Sequence, residues 1–80
     1  MNECYYFESP IGRFWVVRHE HLWHVLHKDE YLGAYSHPTQ AIEDVSRGHN
    51  LTLASGIDIS DLDIPHEIER WKHGQVAWPK

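Results

Sequence analysis

The sequence predicts a single α+β domain, in which an antiparallel β-meander of three to four strands packs against one α-helix and a C-terminal segment holds a short second helix. Three observations lead there. Residues 4–35 alternate β-branched and aromatic runs with turn-forming residues. Residues 36–48 change to a helical spacing that ends on a glycine. Eighty residues are too few to bury two separate cores.

The strands follow in order. Cys4-Tyr5-Tyr6-Phe7-Glu8 is β-prone, and Ser9-Pro10-Ile11-Gly12 supplies a turn. Arg13 to Arg18 makes a second strand around Phe14-Trp15-Val16-Val17, and His19-Glu20-His21 turns the chain. Leu22 to Lys28 makes the third strand, Asp29-Glu30 turns again, and Tyr31 to Tyr35 makes the fourth. The helix spans 36–48: Ser36 or His37 caps it, Pro38 fits its first turn and Gln40 takes a capping-box position. Ala41, Ile42 and Val45 form its inward stripe, Glu43, Asp44 and Arg47 face water, and Gly48 stops it. In the C-terminal segment, 49–80, Pro65 to Trp71 is expected to be a short helix, with the tail frayed from Gln75 onward.

Side chains alternate between the faces of a strand. Phe14 and Val16 therefore oppose Trp15 and Val17, and Leu22, His24 and Leu26 oppose Trp23, Val25 and His27. Both faces are apolar at their centre, and one helix covers only one of them. The C-terminal segment, with its isoleucines and Trp71, is the expected second cover; a second copy of the chain or a partner is the alternative.

Composition narrows the function classes. Twelve carboxylates against seven Lys and Arg leave a net charge of −5, which disfavours nucleic acid and anionic membranes as partners. Eight histidines make that charge steeply pH-dependent between about pH 5 and 7. The single cysteine, Cys4, permits no internal disulfide and points to a reducing compartment, with the cytoplasm expected. No signal-peptide pattern or membrane-length apolar run is present, and the Asn50-Leu51-Thr52 acceptor match has no meaning without secretion.

Chemistry-bearing patterns are sparse. His19, His21, His24 and His27 lie within nine residues, but on a strand His24 and His27 point to opposite faces. None of the usual zinc spacings occurs, so solvated strand histidines are expected rather than a metal site. Cys4 reads as a small buried thiol, Ser55-Gly56 lacks the flanks of a nucleophile elbow, and no glycine-rich phosphate loop is present. No catalytic residues and no cofactor are assigned. Asp58, Asp61, Asp63, Glu67 and Glu69 gather between residues 57 and 71 with only Arg70 against them, interleaved with apolar residues that include Trp71. A solvated face accounts for them; so does a surface that docks on a basic partner, with Trp71 as an anchor.

Across residues 5–47, Tyr5-Tyr6-Phe7-Glu8-Ser9-Pro10-Ile11-Gly12, Phe14-Trp15, and Leu32-Gly33 with Tyr35, Pro38 and Ala41 resemble small uncharacterised proteins of bacteria and their phages. The resemblance implies a meander followed by a helix and brings no activity with it. His37 departs from the Ser or Thr expected before the proline, which weakens the cap. The element order is also similar to plant AP2-type and integrase amino-terminal DNA-binding domains, although their basic sheet face is missing here. The expected function is thus a non-enzymatic protein-binding module, an inhibitor of the anti-CRISPR or immunity type. Its alternatives are a sheet-mediated nucleic-acid binder and a homodimeric structural protein.

Overall fold

Four hairpin-linked strands and a fifth that returns from the far end of the chain make one antiparallel sheet. The structure is a computed structural model that describes residues 1–48 and 51–78, so Asn50 of the acceptor match lies outside the described residues. The strands are β1 (Asn2–Ser9), β2 (Gly12–His19), β3 (Leu22–His27), β4 (Glu30–Tyr35) and β5 (Lys72–Val76). The helix α1 (Pro38–Arg47) follows β4, and two short 3-10 turns, Ile59–Leu62 and Ile68–Arg70, lie between α1 and β5. The sheet order is β4-β3-β2-β1-β5.

Two-residue loops close all three hairpins, and each has its own chemistry. At Pro10-Ile11 the Ser9 hydroxyl accepts from the Ile11 N–H and donates to the Gly12 carbonyl. Gly12 has φ 122°, a backbone conformation that strains any residue with a Cβ, and glycine takes it without cost. Glu20 and His21 both have positive φ, 52° and 72°. That is the backbone of a type I′ hairpin turn, a position where Asn-Gly is preferred.

Register places Phe14, Val16, Trp23 and Val25 on one face, where they meet Ala41, Ile42 and Val45 of α1. Leu51, Leu53, Ile59, Ile64 and Trp71 complete this core. The cap is weak, as the histidine implied: His37 makes no side-chain cap bond, whereas Gly48 ends the helix at φ 66° with its N–H on the Val45 carbonyl.

The C-terminal segment departs from expectation in three ways. The expected short second helix is present as the 3-10 turn Ile68–Arg70, but it begins after Pro65 rather than at it. Gln75 and Val76 are not a frayed tail but belong to β5, which pairs with β1 from Asn2 against Val76 to Tyr6 against Lys72. The isoleucines and Trp71 do not cover the second sheet face; they close the first one, beside α1. The histidines also differ: His27 is buried, with its Nε2 on the Ile11 carbonyl at 3.1 Å and its ring against Phe14.

The Glu20-His21 turn is the sheet's one tight turn with two successive non-glycine residues at positive φ. Glu20→Asn with His21→Gly is expected to raise stability by about 1–2 kcal/mol, read as a higher urea midpoint at unchanged slope.

Candidate functional site

The second face of the sheet is built from the alternate residues of the same strands. Cys4, Val17 and Leu26 are buried at its centre, with Tyr6, Trp15, Val76 and Trp78 half-buried around them. Among the described residues no helix lies on this side. After β5 the chain turns back across the face, and Trp78 stacks on His19 at 4.3 Å with the rings 4° apart. Its ring also meets the edge of His24 at 4.6 Å. Asn2 borders this crossing: with its side-chain amide turned so that the oxygen faces the tail, it accepts from the Trp78 backbone N–H at 3.2 Å and donates to the Arg18 carbonyl at 3.0 Å. The tail therefore covers one corner, and over the rest of the face, among the described residues, Tyr6, Trp15 and Val76 screen the buried centre without a second layer above them.

His24 is fixed by two bonds. Its Nε2 lies 3.0 Å from the His19 carbonyl, which can only accept, so Nε2 carries a proton. In the neutral ring Nδ1 then accepts from the Tyr31 hydroxyl at 2.9 Å. Both ring nitrogens are thus engaged, which leaves no lone pair free for a metal ion. His24 and His27 lie on opposite faces, and the described residues contain no group of three or more His, Cys, Asp or Glu placed to hold a metal.

At the other end of this face Arg13 lies over two aromatic rings, 4.6 Å from the centre of Tyr6 and 5.1 Å from that of Trp15. Its Nε also donates to Glu8 at 2.9 Å, and this bond holds the Glu8 carboxyl below the usual carboxylate range. Between Trp15, Val17 and Leu26 on one side and Val76 and Ala77 on the other lies a cavity of about 180 Å³, with Lys28 and Asp29 at its rim. Small-molecule sites are typically about 300–1,000 Å³, so this one suits a single large side chain.

The acidic residues lie elsewhere, in the loops that join α1 to β5. Asp58 caps the first 3-10 turn, accepting from the Ser60 N–H at 3.0 Å and the Ser60 hydroxyl at 2.7 Å. These bonds hold its carboxyl below the ordinary range, so their contribution to the turn persists at neutral pH and fades as pH falls through that lowered value. Asp61 is exposed on the same turn, and Asp63 ends it in a left-handed conformation at φ 53°. Glu67 and Glu69 belong to the second turn, where Glu67 lies 3.9 Å from both Arg70 and His66. Ile57, 41% exposed, precedes them. Trp71 is the exception among the candidate residues: it is 4% exposed, packs on Phe7 and donates its Nε1–H to the Pro65 carbonyl at 2.9 Å. It pins the acidic loop to the core and presents no anchor to a partner.

The aromatic second face was implicit in the period-two pattern of β2 and β3; its corner cover was not. Nothing in the sequence distinguished Trp78, two residues from the end, from a frayed tail. No family model, curated protein or solved structure matches this chain.

Burial raises the Cys4 thiol above its ordinary value, against a smaller opposing effect of the Gly74 backbone. The folded thiol stays protonated where the unfolded one ionises, so stability is full below the ordinary thiol range and falls as pH rises through it. Cys4 should react with a disulfide reagent at least about tenfold more slowly in the native protein than in urea. Trp71→Phe should cost about 1–3 kcal/mol in urea unfolding by leaving the Pro65 carbonyl unpaired.

Proposed function

We propose that this chain is a non-enzymatic protein-binding module that docks its acidic helix-and-loop layer on a basic partner surface. The observation that carries this reading is the distribution of charge. Residues 36–71 hold seven carboxylates and only Arg47 and Arg70, which accounts for the whole net charge of −5; the rest of the chain holds five of each sign. Without Lys80, which lies outside the described residues, the sheet layer holds five acids against four bases and is nearly neutral, while the other layer is strongly acidic, a separation that steers encounter with a positive partner and fixes its orientation.

Asp58, Asp61, Asp63, Glu67 and Glu69 are displayed on turns that Trp71 and Ile59 hold to the core. Among the described residues only Glu67 of these five has a basic side chain within 4 Å. The others are free to meet cations supplied from outside. Ile57 beside them offers an apolar contact within the charged rim. A module of this kind acts by occupying a basic site that another ligand needs, which makes inhibition its simplest role.

One observation favours a second reading, in which the second sheet face stacks single-stranded nucleic acid. Arg13 lies over Tyr6 and Trp15, and Lys72 stands on the neighbouring edge strand. Against it, Glu8 already neutralises Arg13.

The test is affinity capture with the wild-type chain, followed by titration of the purified partner at low and moderate salt. Asp61→Lys with Glu67→Lys should weaken binding at least about tenfold and flatten its salt dependence. Equal affinity and an equal salt slope in that variant would overturn the acidic-layer reading. A shifted band with single-stranded oligonucleotides at low salt would favour the second one.

A further inference from the structure

We propose that the cavity on the second sheet face binds a free apolar amino acid, with the side chain inside and the two charged groups at the mouth. The cavity lies across the sheet from the acidic layer, so the inference goes beyond the reading above and can fail separately.

The first argument is size. Val17 and Leu26 are 1% and 5% exposed, packed by Tyr6, Trp15, Val76 and Trp78, so this face needs no second layer. A gap of about 180 Å³ nonetheless survives within that packing, between Trp15, Val17 and Leu26 and the returning tail at Val76 and Ala77. Protein interiors seldom keep voids larger than a water molecule. An apolar cavity of about 150 Å³ takes up benzene, so this one has room for a benzyl or isobutyl group. Its walls belong to a tryptophan and four aliphatic residues, and an apolar group displaces water from such walls favourably.

The second argument is the mouth. Lys28 and Asp29 line the same cavity and are exposed, whereas Val17 and Leu26 are buried. The opening is therefore at the turn between β3 and β4, with exposed Ala77 as its opposite lip. The backbone fixes this turn: Lys28 has a left-handed φ of 54°, and its N–H donates to the Arg13 carbonyl at 3.2 Å. Among the described residues neither Lys28 nor Asp29 has an ion-pair partner within 4 Å. Arg13 and Glu8, by contrast, are bonded to each other.

A free positive and a free negative group on adjacent residues, over an apolar cavity, select the ligand. An α-amino acid carries its carboxylate and its ammonium on the carbon that bears the side chain. Lys28 receives the first and Asp29 the second. A partner's side chain would bring neutral amides to the mouth, and a simple acid or amine satisfies only one of the two residues. A polar side chain would lose its hydration against walls that give little back.

Nuclear magnetic resonance titration of the full chain with L-phenylalanine and L-leucine, to about 20 mM, tests this. Ligands of about a dozen heavy atoms bind in the millimolar range, so a dissociation constant of about 1 mM is expected, with shifts at the Trp15 indole N–H, Leu26 and Ala77. Glycine and L-aspartate should bind at least about tenfold more weakly, as should L-phenylalaninamide and N-acetyl-L-phenylalanine, which each lack one charge. Lys28→Gln, with an otherwise unchanged amide spectrum, should no longer distinguish phenylalanine from its amide. Asp29→Asn should no longer distinguish phenylalanine from its N-acetyl derivative. Asp61→Lys with Glu67→Lys should leave all of these constants unchanged. Absence of shifts in the wild type at 20 mM ligand, on the order of ten times the expected constant, overturns the inference. So does N-acetyl-L-phenylalaninamide binding as tightly as phenylalanine, which would make the cavity a seat for a partner's side chain.

Discussion

The pairing of β2 with β3, Val16 against Val25, is the constraint on which the rest depends. It puts Phe14, Val16, Trp23 and Val25 together on one side, and that side is the floor on which α1 rests. By the same period of two it puts Trp15, Val17 and Leu26 together on the other. A slip of one residue in either strand would exchange the two sets and leave His24 under the helix in place of Val25. The two-residue turn at Glu20-His21 prevents the slip, which explains why a strained backbone is retained there.

The strands and the helix were legible because their signals are local. Turn residues at Ser9-Pro10 and Asp29, and a spacing of Ala41, Ile42 and Val45 that ends on Gly48, leave few alternatives. β5 was not legible for a physical reason. Lys72-His73-Gly74-Gln75-Val76 has one β-branched residue, and its strand conformation comes from the unpaired backbone edge of β1. Edge pairing needs a partner, not a pattern. Trp71 misled in the same way: a tryptophan among acids reads alike as an interface anchor and as a peg into the core, and only its bond to Pro65 decides between them. His27 was taken for solvated because imidazole is polar, yet a single carbonyl, that of Ile11, satisfies it where it is buried.

The acidic candidates were legible as residues but not as an arrangement. Sequence placed Asp58, Asp61, Asp63, Glu67 and Glu69 close together along the chain, whereas the structure divides them between two 3-10 turns joined by a stretch that includes buried Ile64 and Pro65. Their common property is where they are not. None stands on the sheet, so the molecule separates most of its negative charge from its nearly neutral sheet layer.

That separation follows from the path of the chain. β4 is an outer strand, and α1 starts from its end and turns onto the first face. The segment after α1 must then travel from the β4 side to the free edge of β1, where β5 pairs. It makes this crossing over the face already occupied by α1, and it carries its isoleucines, Trp71 and the acids along with it. Only the few residues beyond Val76 are positioned to reach the second face, and among those described they bring a single large side chain, Trp78. A chain routed this way spends nearly all of its covering length on one side. The apolar residues that β2 and β3 necessarily project to the other side are therefore shielded not by a second layer but by large side chains of that same face, Tyr6, Trp15 and Val76, together with Trp78, which leave Val17 and Leu26 buried.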